Sequence, residues 1–235
     1  MTLSGVTLIT CTGGRPFAFG LCQKFMLRQT YRGRVQWIVV NDVERSVEAA
    51  HVQDGWLLSM IFPEPRWKPG ENTLARNLLA ATPEVLYEKV LFIEDDDWYA
   101  SNYVDLMAAK LDFADIIGEA CSRYYHVPSR RYRVFNNACH ASLCQTGIRK
   151  ALLPELRDVC ETPMSSFIDF RLWQHRPHLL TDTRGCVGIK GLPGREGIGI
   201  GHRPVADGNW RGDADLETLK AWIGDDVKLY EGICH

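Results

Sequence analysis

Four consecutive carboxylates, Glu94, Asp95, Asp96 and Asp97, follow directly on the apolar residues 90–93. Like charges held this close repel, and the arrangement costs free energy unless a cation or a proton offsets it. Two readings are open. One is a solvated turn capping a helix that begins near Ser101, since Asp is a favoured cap. The other is a metal site at the end of a strand. Residues i and i+2 of an extended segment point the same way, so Glu94 and Asp96, or in the other register Asp95 and Asp97, present paired oxygens. Such a pair suits a hard divalent cation, Mn²⁺ or Mg²⁺, which keeps water and phosphate oxygens in its remaining positions.

The elements around these groups alternate in type. Residues 5–11, GVTLITC, read as a buried strand, and TGGRP follows as a glycine loop with Pro16 at a helix start. Ala18, Leu21, Cys22 and Phe25 then fall on one helical face. Residues 35–42, VQWIVVND, form a second buried run ending in polar groups, and residues 55–62 a third. A proline-rich loop leads to a helix over NTLARNLLAA, with Leu74, Ala75, Leu78, Leu79 and Ala81 on one side and Arg76 and Asn77 on the other. The run VLFI is the fourth strand. Strands alternating with helices predict a mostly parallel sheet, whose ligands bind beyond the carboxyl ends of the strands. Residues 12–15, Asn41 with Asp42, and residues 94–97 all fall there.

The second half changes character. Residues 121–144 interleave arginine and aromatic side chains about a Val127-Pro128-Ser129 turn, which predicts a hairpin. TGIRKALLPELRD and SSFIDFRLWQH read as helices, residues 186–204 as a glycine-rich loop region, and residues 213–223 as a final helix. Glycine lets backbone amides approach phosphate oxygens. Lys190, Arg195 and Arg203 are placed to neutralise such a group.

The chain has 235 residues, 46% of them hydrophobic and 24% charged, enough for one sizeable core, so a single domain is expected. A net charge of -2 gives no global attraction to nucleic acid or membrane, so a polyanion would have to meet a local patch. No apolar run is long enough to span a bilayer and the first residues lack signal-peptide character, which makes the cytoplasm the expected location. Eight cysteines without C-x-x-C spacing argue for reduced, mostly buried thiols, with Cys11, Cys22 and Cys186 in apolar settings, and against structural zinc.

The succession VTLITCTGGRPFAFGLCQKFMLRQTY, VQWIVVND, ENTLARNLLAA and VLFIEDDDWYASNYVDLM resembles the family 2 glycosyltransferases over about the first 110 residues. These enzymes have the GT-A fold and move a sugar from a nucleotide diphosphate donor. The resemblance implies a GT-A-like α/β fold, a mostly parallel twisted sheet flanked by helices, with residues 1–98 as the nucleotide-sugar-binding half and 99–235 as the acceptor-binding and catalytic half. It implies that Thr12, Gly13, Arg15 and Asp42 meet the nucleoside with Arg76 nearby, and that Asp95, Lys190 and Arg195 also serve the donor, expected to be a UDP-sugar. Asp96 would be the principal metal ligand, assisted by Glu94 or Asp97, with His202 as a late histidine ligand. Two positions depart from the family pattern: Asn41-Asp42 replaces an acidic pair, and Glu94 replaces the first Asp of the metal motif.

By the same resemblance Asp169 stands where the catalytic carboxylate is expected, before a short helix carrying Trp173. There it would take the proton of an attacking hydroxyl and invert the anomeric centre. An ion pair with Arg171 is the alternative, and Glu161 is the second candidate base. Arg123, Tyr125, Arg131 and Trp173 are the candidate acceptor contacts. They suit a saccharide or, through phosphate contacts and stacking, a hydroxymethylated base in phage DNA. A nucleotidyltransferase is the competing enzyme class. A non-catalytic DNA-binding module built on the hairpin is the competing non-enzyme reading.

Overall fold

The computed structural model describes residues 5–43, 52–162, 167–174, 177–197, 199, 201–202 and 209–233. Arg203 and part of the SSFIDFRLWQH segment therefore lie outside the described residues. Strand β1 (Val6–Thr12) leads through a glycine loop into α1 (Pro16–Leu27), whose first residue is the expected proline. Then come β2 (Val35–Asn41), β3 (Leu57–Ile61), α2 (Leu74–Ala81) and β4 (Lys89–Phe92). The chain continues through β5 (Trp98–Tyr99), α3 (Tyr103–Lys110), β6 (Ile116–Glu119), β7 (Cys121–His126) and β8 (Arg131–Asn136). Last come β9 (Thr146–Arg149), α4 (Leu153–Glu161), α5 (Ile168–Trp173), β10 (Leu179–Thr181), β11 (Cys186–Lys190), β12 (Arg211–Gly212) and α6 (Glu217–Ile223).

The main sheet has seven strands in the order β10-β6-β9-β4-β1-β2-β3. All pairings are parallel except those of β9, which runs antiparallel between β4 and β6. Both faces are buried, and the period of two decides which side chain goes where. Val6, Leu8, Trp37, Val39 and Leu91 pack on one face with Phe25 of α1 and Met107 of α3. Ile9, Ile38, Val40, Val90 and Phe92 pack on the other with Leu78 of α2, Leu156 of α4 and Leu172 of α5. A second sheet, β12-β8-β7-β11-β5, stands beside the first.

Four expectations are corrected. Residues 186–190, read as part of the glycine-rich loop, are strand β11, buried and paired with β7 and β5. The segment TGIR, read as the start of a helix, is strand β9: Ile148 is paired with Val90 on one side and Ile116 on the other, so burial between two strands overrides the helical pattern downstream. The last helix begins at Glu217 rather than Asp213. Asp213 instead accepts the amide hydrogens of Thr218 and Leu219, as a carboxylate does at a helix start. The helix after the acidic run starts at Tyr103 beyond Asn102, with β5 in between, so none of the four carboxylates caps it.

Candidate active site

The carboxyl ends of β1, β2 and β4 meet as expected, and a cavity of about 1070 Å³ opens above them. That is at or beyond the upper end of ordinary small-molecule sites. Its wall includes Thr12, Arg15, Glu94, Asp95, Asp96, Lys190, Arg195 and His202, with the Tyr124 ring 5.7 Å from Lys190 Nζ, and also Phe135, Phe167, Asp169 and Phe170.

In the acidic run every carboxylate is met by protein groups. Thr12 donates its hydroxyl to Asp95 Oδ2 at 2.7 Å, and the Arg15 guanidinium lies 2.7 Å from Asp95 Oδ1 and 3.2 Å from Asp96 Oδ2. Asp97 points inward and accepts from the Ile189 amide at 3.0 Å and from Lys190 Nζ at 2.9 Å. His202 Nε2 lies 3.3 Å from Asp96 Oδ2. The thiols of Cys144 and Cys186 back this cluster, and burial pushes Cys186 up to about 11.

Titration behaviour follows from these contacts. Burial, opposed by Arg15, pushes the Asp95 carboxyl up to about 6. Burial and the neighbouring Asp97 hold Glu94 well above its ordinary value. Burial also works to raise Asp96, but Lys190, Arg15 and His202 together hold it below the usual carboxylate range. Burial disfavours the Lys190 ammonium, and Asp96, Asp97 and Glu94 more than restore it.

Oxygens of Glu94, Asp96 and Asp97 come within 4.8 Å of one another, a grouping able to hold a divalent cation. Four carboxylates face two permanent cations here, Arg15 and Lys190. The Glu94 side chain keeps about a third of its surface exposed. Asp96 Oδ2, buried, has Arg15, His202 and Lys190 around it at 3.2, 3.3 and 3.7 Å. Hard oxygen donors and four carboxylates against two permanent cations fit Mn²⁺ or Mg²⁺.

Asp42 is fully buried, and both its oxygens are taken by protein donors. Oδ2 accepts from the Thr73 hydroxyl and from Asn77 Nδ2 at 2.9 Å, and Arg195 Nη1 reaches Oδ1 at 2.8 Å. Arg76 stands 3.9 Å away. What Asp42 presents to the cavity is therefore Arg195, whose guanidinium also covers the Trp67 ring, 4.4 Å from its centroid. Gly13 lies against Asp42, where an added Cβ would collide with the carboxylate. Gly14, at φ +67°, accepts the Arg195 amide hydrogen and ties the first loop to the late glycine-rich one.

Asp169 lies in the first turn of α5 and accepts the amide hydrogen of Phe170 at 2.8 Å. Burial raises its carboxyl above the ordinary value, opposed by that hydrogen bond and by His140. Arg171 does not pair with it: its guanidinium turns to the Val159 carbonyl and the Thr162 hydroxyl. Glu161 is exposed beside Arg157 and is not on the cavity wall.

None of Arg123, Tyr125, Arg131 and Trp173 lines the cavity. Trp173 is core, its indole N–H donating to Thr146 Oγ1 at 3.0 Å. Arg123 is buried behind the hairpin, donating to the Arg184 carbonyl with its guanidinium 5.5 Å from the Trp222 ring centroid. Tyr125 is on the same hidden face and fully buried. Arg131 is exposed at the far end of β8. The hairpin itself forms as expected, but the face of β7 that meets the cavity is that of Ser122 and Tyr124, not that of Arg123 and Tyr125. Ser122, Tyr124 and Phe135 are the residues that reach the cavity, with Tyr124 bonded to the Ser142 hydroxyl at 2.6 Å. Phe167 and Phe170, 55% and 44% exposed on either side of Asp169, were legible as an aromatic pair three residues apart but carried no chemistry of their own.

A largely parallel sheet with one reversed strand, carboxylates beyond its ends and a second sheet beside it define a GT-A-like glycosyltransferase fold. No family model matches the chain, and no curated protein sequence matches it either. Among solved structures it is similar to S. aureus TarS, with TM-score 0.57 and 15% identity over 80% of this chain and 37% of that one. It is also similar to TarS 1–349 in complex with UDP-GlcNAc, with TM-score 0.55 and 15% identity over 87% of this chain and 62% of that one. The complex of the same fragment with UDP gives 0.53 and 13% over 80% of this chain and 60% of that one. The chain thus spans 37% of the TarS structure and 60–62% of those of its fragment. No helix among the described residues is long and apolar enough to cross a membrane.

Proposed function

We propose that this chain is a metal-dependent glycosyltransferase that takes its sugar from a UDP-sugar and delivers it to an acceptor hydroxyl. One observation carries the reading: a single cavity is walled both by a charge-dense cluster, built from strand termini and two buried cations, and by one carboxylate standing among aromatic rings. The TarS structures with UDP and UDP-GlcNAc support a uridine donor by analogy of fold.

Glu94 and Asp96 would hold the divalent ion, with His202 beside them, while Asp97 is committed to Lys190 and the Ile189 amide. When bound, the ion supplies Lewis-acid stabilisation of the diphosphate leaving group. Lys190 and Arg15 bring fixed positive charge to the same place without reorganising, which is the requirement for stabilising charge that develops during reaction. Thr12, Gly14 and Arg195 frame the nucleoside side. Asp169 takes the proton from the acceptor hydroxyl as that oxygen attacks the anomeric carbon from the face opposite the diphosphate, so the product is inverted. Tyr124, Phe135, Phe167 and Phe170 offer flat apolar surface to a saccharide acceptor. The exposed Arg131 and Arg211, on adjacent strands β8 and β12, favour as second reading a nucleic-acid acceptor held by its phosphates.

Calorimetric titration with UDP, in Mn²⁺ and then in EDTA, tests the donor site, and turnover of UDP-sugars with saccharide or hydroxymethylated-DNA acceptors tests the transfer. Metal-dependent UDP binding that Asp96→Ala abolishes is expected. Silence toward UDP, GDP, CDP and dTDP in every condition would end the glycosyltransferase reading, and pyrophosphate release from a nucleoside triphosphate would replace it with nucleotidyl transfer.

A further inference from the structure

The three carboxylates best grouped to hold a metal surround an ammonium that belongs to the chain itself. Lys190 Nζ lies 2.9 Å from Asp97 Oδ1, 3.7 Å from Asp96 Oδ2 and 3.9 Å from Glu94 Oε2. The side chain is 3% exposed, and its backbone is held at the end of β11, where the Lys190 carbonyl accepts the Val127 amide hydrogen. Asp97 is anchored in turn by the Ile189 amide, so withdrawing the ammonium would strand a buried carboxylate. On the cavity side of Asp96 the Arg15 guanidinium stands at 3.2 Å. A dication held by Glu94 and Asp96 therefore has two permanent cations as next neighbours, in a pocket where repulsion is weakly screened. A diphosphate brings the negative charge that all three cations can share.

We infer that Lys190 makes metal loading conditional on the diphosphate. The inference rests on the nucleotide-sugar reading above and extends it. Lys190 is a positioning residue: its ammonium holds down the affinity for metal alone, and it holds up the affinity for diphosphate alone. Metal and donor then load together, each raising the affinity of the other by the same factor, as linkage requires. A lysine that merely supports the fold would move both affinities in the same direction. This role moves them in opposite directions.

The test is calorimetric titration of the full chain with MnCl₂ alone, with UDP in EDTA, and with MnCl₂ at saturating UDP, for wild type, Lys190→Met and Lys190→Arg. In wild type, saturating UDP tightens Mn²⁺ binding by roughly tenfold or more. Lys190→Met tightens Mn²⁺ alone by roughly tenfold and weakens UDP in EDTA by a similar factor. Lys190→Arg stays near wild type on both. Lys190→Gln, which still donates to Asp97, carries the same comparison if thermal melting shows that Lys190→Met fails to fold. Unchanged or weaker Mn²⁺ binding in the neutral variants overturns the inference, as does a parallel loss of both affinities. A wild type that binds UDP in no condition removes the donor reading and this inference with it. That outcome differs from a failure of Lys190, in which wild-type UDP binding persists.

Discussion

In one part of the site Glu94, Asp95, Asp96 and Asp97 are locked to Thr12, Arg15, Lys190 and the Ile189 amide. In the other, Asp169 is flanked by two partly exposed phenylalanines and receives one backbone amide. Both parts of the wall carry carboxyl groups, Asp169 half-buried, yet the charges that face them differ. At Asp96, Lys190, Arg15 and His202 together overcome burial and hold the carboxyl below the usual range, whereas at Asp95 and Asp97 burial prevails over Arg15 and Lys190. Where burial acts against only a weak partner, as at Asp169, the group becomes a better proton acceptor. On the function proposed above, the same residue type would bind in one part and take a proton in the other.

The largest test of that division is Asp169→Asn, which should lower transfer by about 10²–10⁴-fold while leaving UDP affinity intact. Full transfer activity in that variant would take Asp169 out of the reaction and erase the contrast. Asp96→Ala should do the reverse, weakening metal-supported UDP binding by roughly 100-fold in calorimetry. Arg195→Ala leaves the buried Asp42 short of a charged donor, which costs about 1.5–3 kcal/mol of unfolding free energy in urea titration along with part of the UDP affinity. A pH profile sharpens the difference further. Because the Asp169 carboxyl is raised and must be ionised to act, kcat should fall on acidification through a midpoint above the ordinary aspartate value of about 3.9. Smallest of all, Phe170→Ala should raise the acceptor KM while moving stability by no more than about 0.5 kcal/mol, since that ring is partly exposed already.

The two parts were unequally legible. The acidic part lies on strand termini, and strand runs such as VLFI and VQWIVVND announce themselves by composition, so residues 12–15, Asp42 and residues 94–97 could be brought together from sequence. The other part of the wall depends on which face of one hairpin turns to the cavity. Choosing Arg123 and Tyr125 over Ser122 and Tyr124 inverted the result, because successive strand residues face opposite ways and aromatic and arginine positions occur on both faces. Trp173 carried no mark of its burial: Gly118 of β6 leaves the space, since a Cβ there would press on the indole and on Ala141. The role of Lys190 beside the acidic run was also hidden, because 93 residues separate it from Asp97 and only the second sheet closes that distance.

That closure has a mechanical side. The chain passes from β6 of the main sheet into β7 of the second with only Ala120 between them. At this crossing Glu119, wholly buried, accepts from the Gln145 side chain, the Thr183 hydroxyl and the amides of Gly185 and Cys186 at the head of β11. The seam works as a rivet. Sliding one sheet past the other would strip a buried carboxyl group of four donors in a dry interior, a cost of several kcal/mol. The walls of the cavity therefore resist shear, and whatever give the molecule needs to admit and release substrates falls to its loops rather than to its strands.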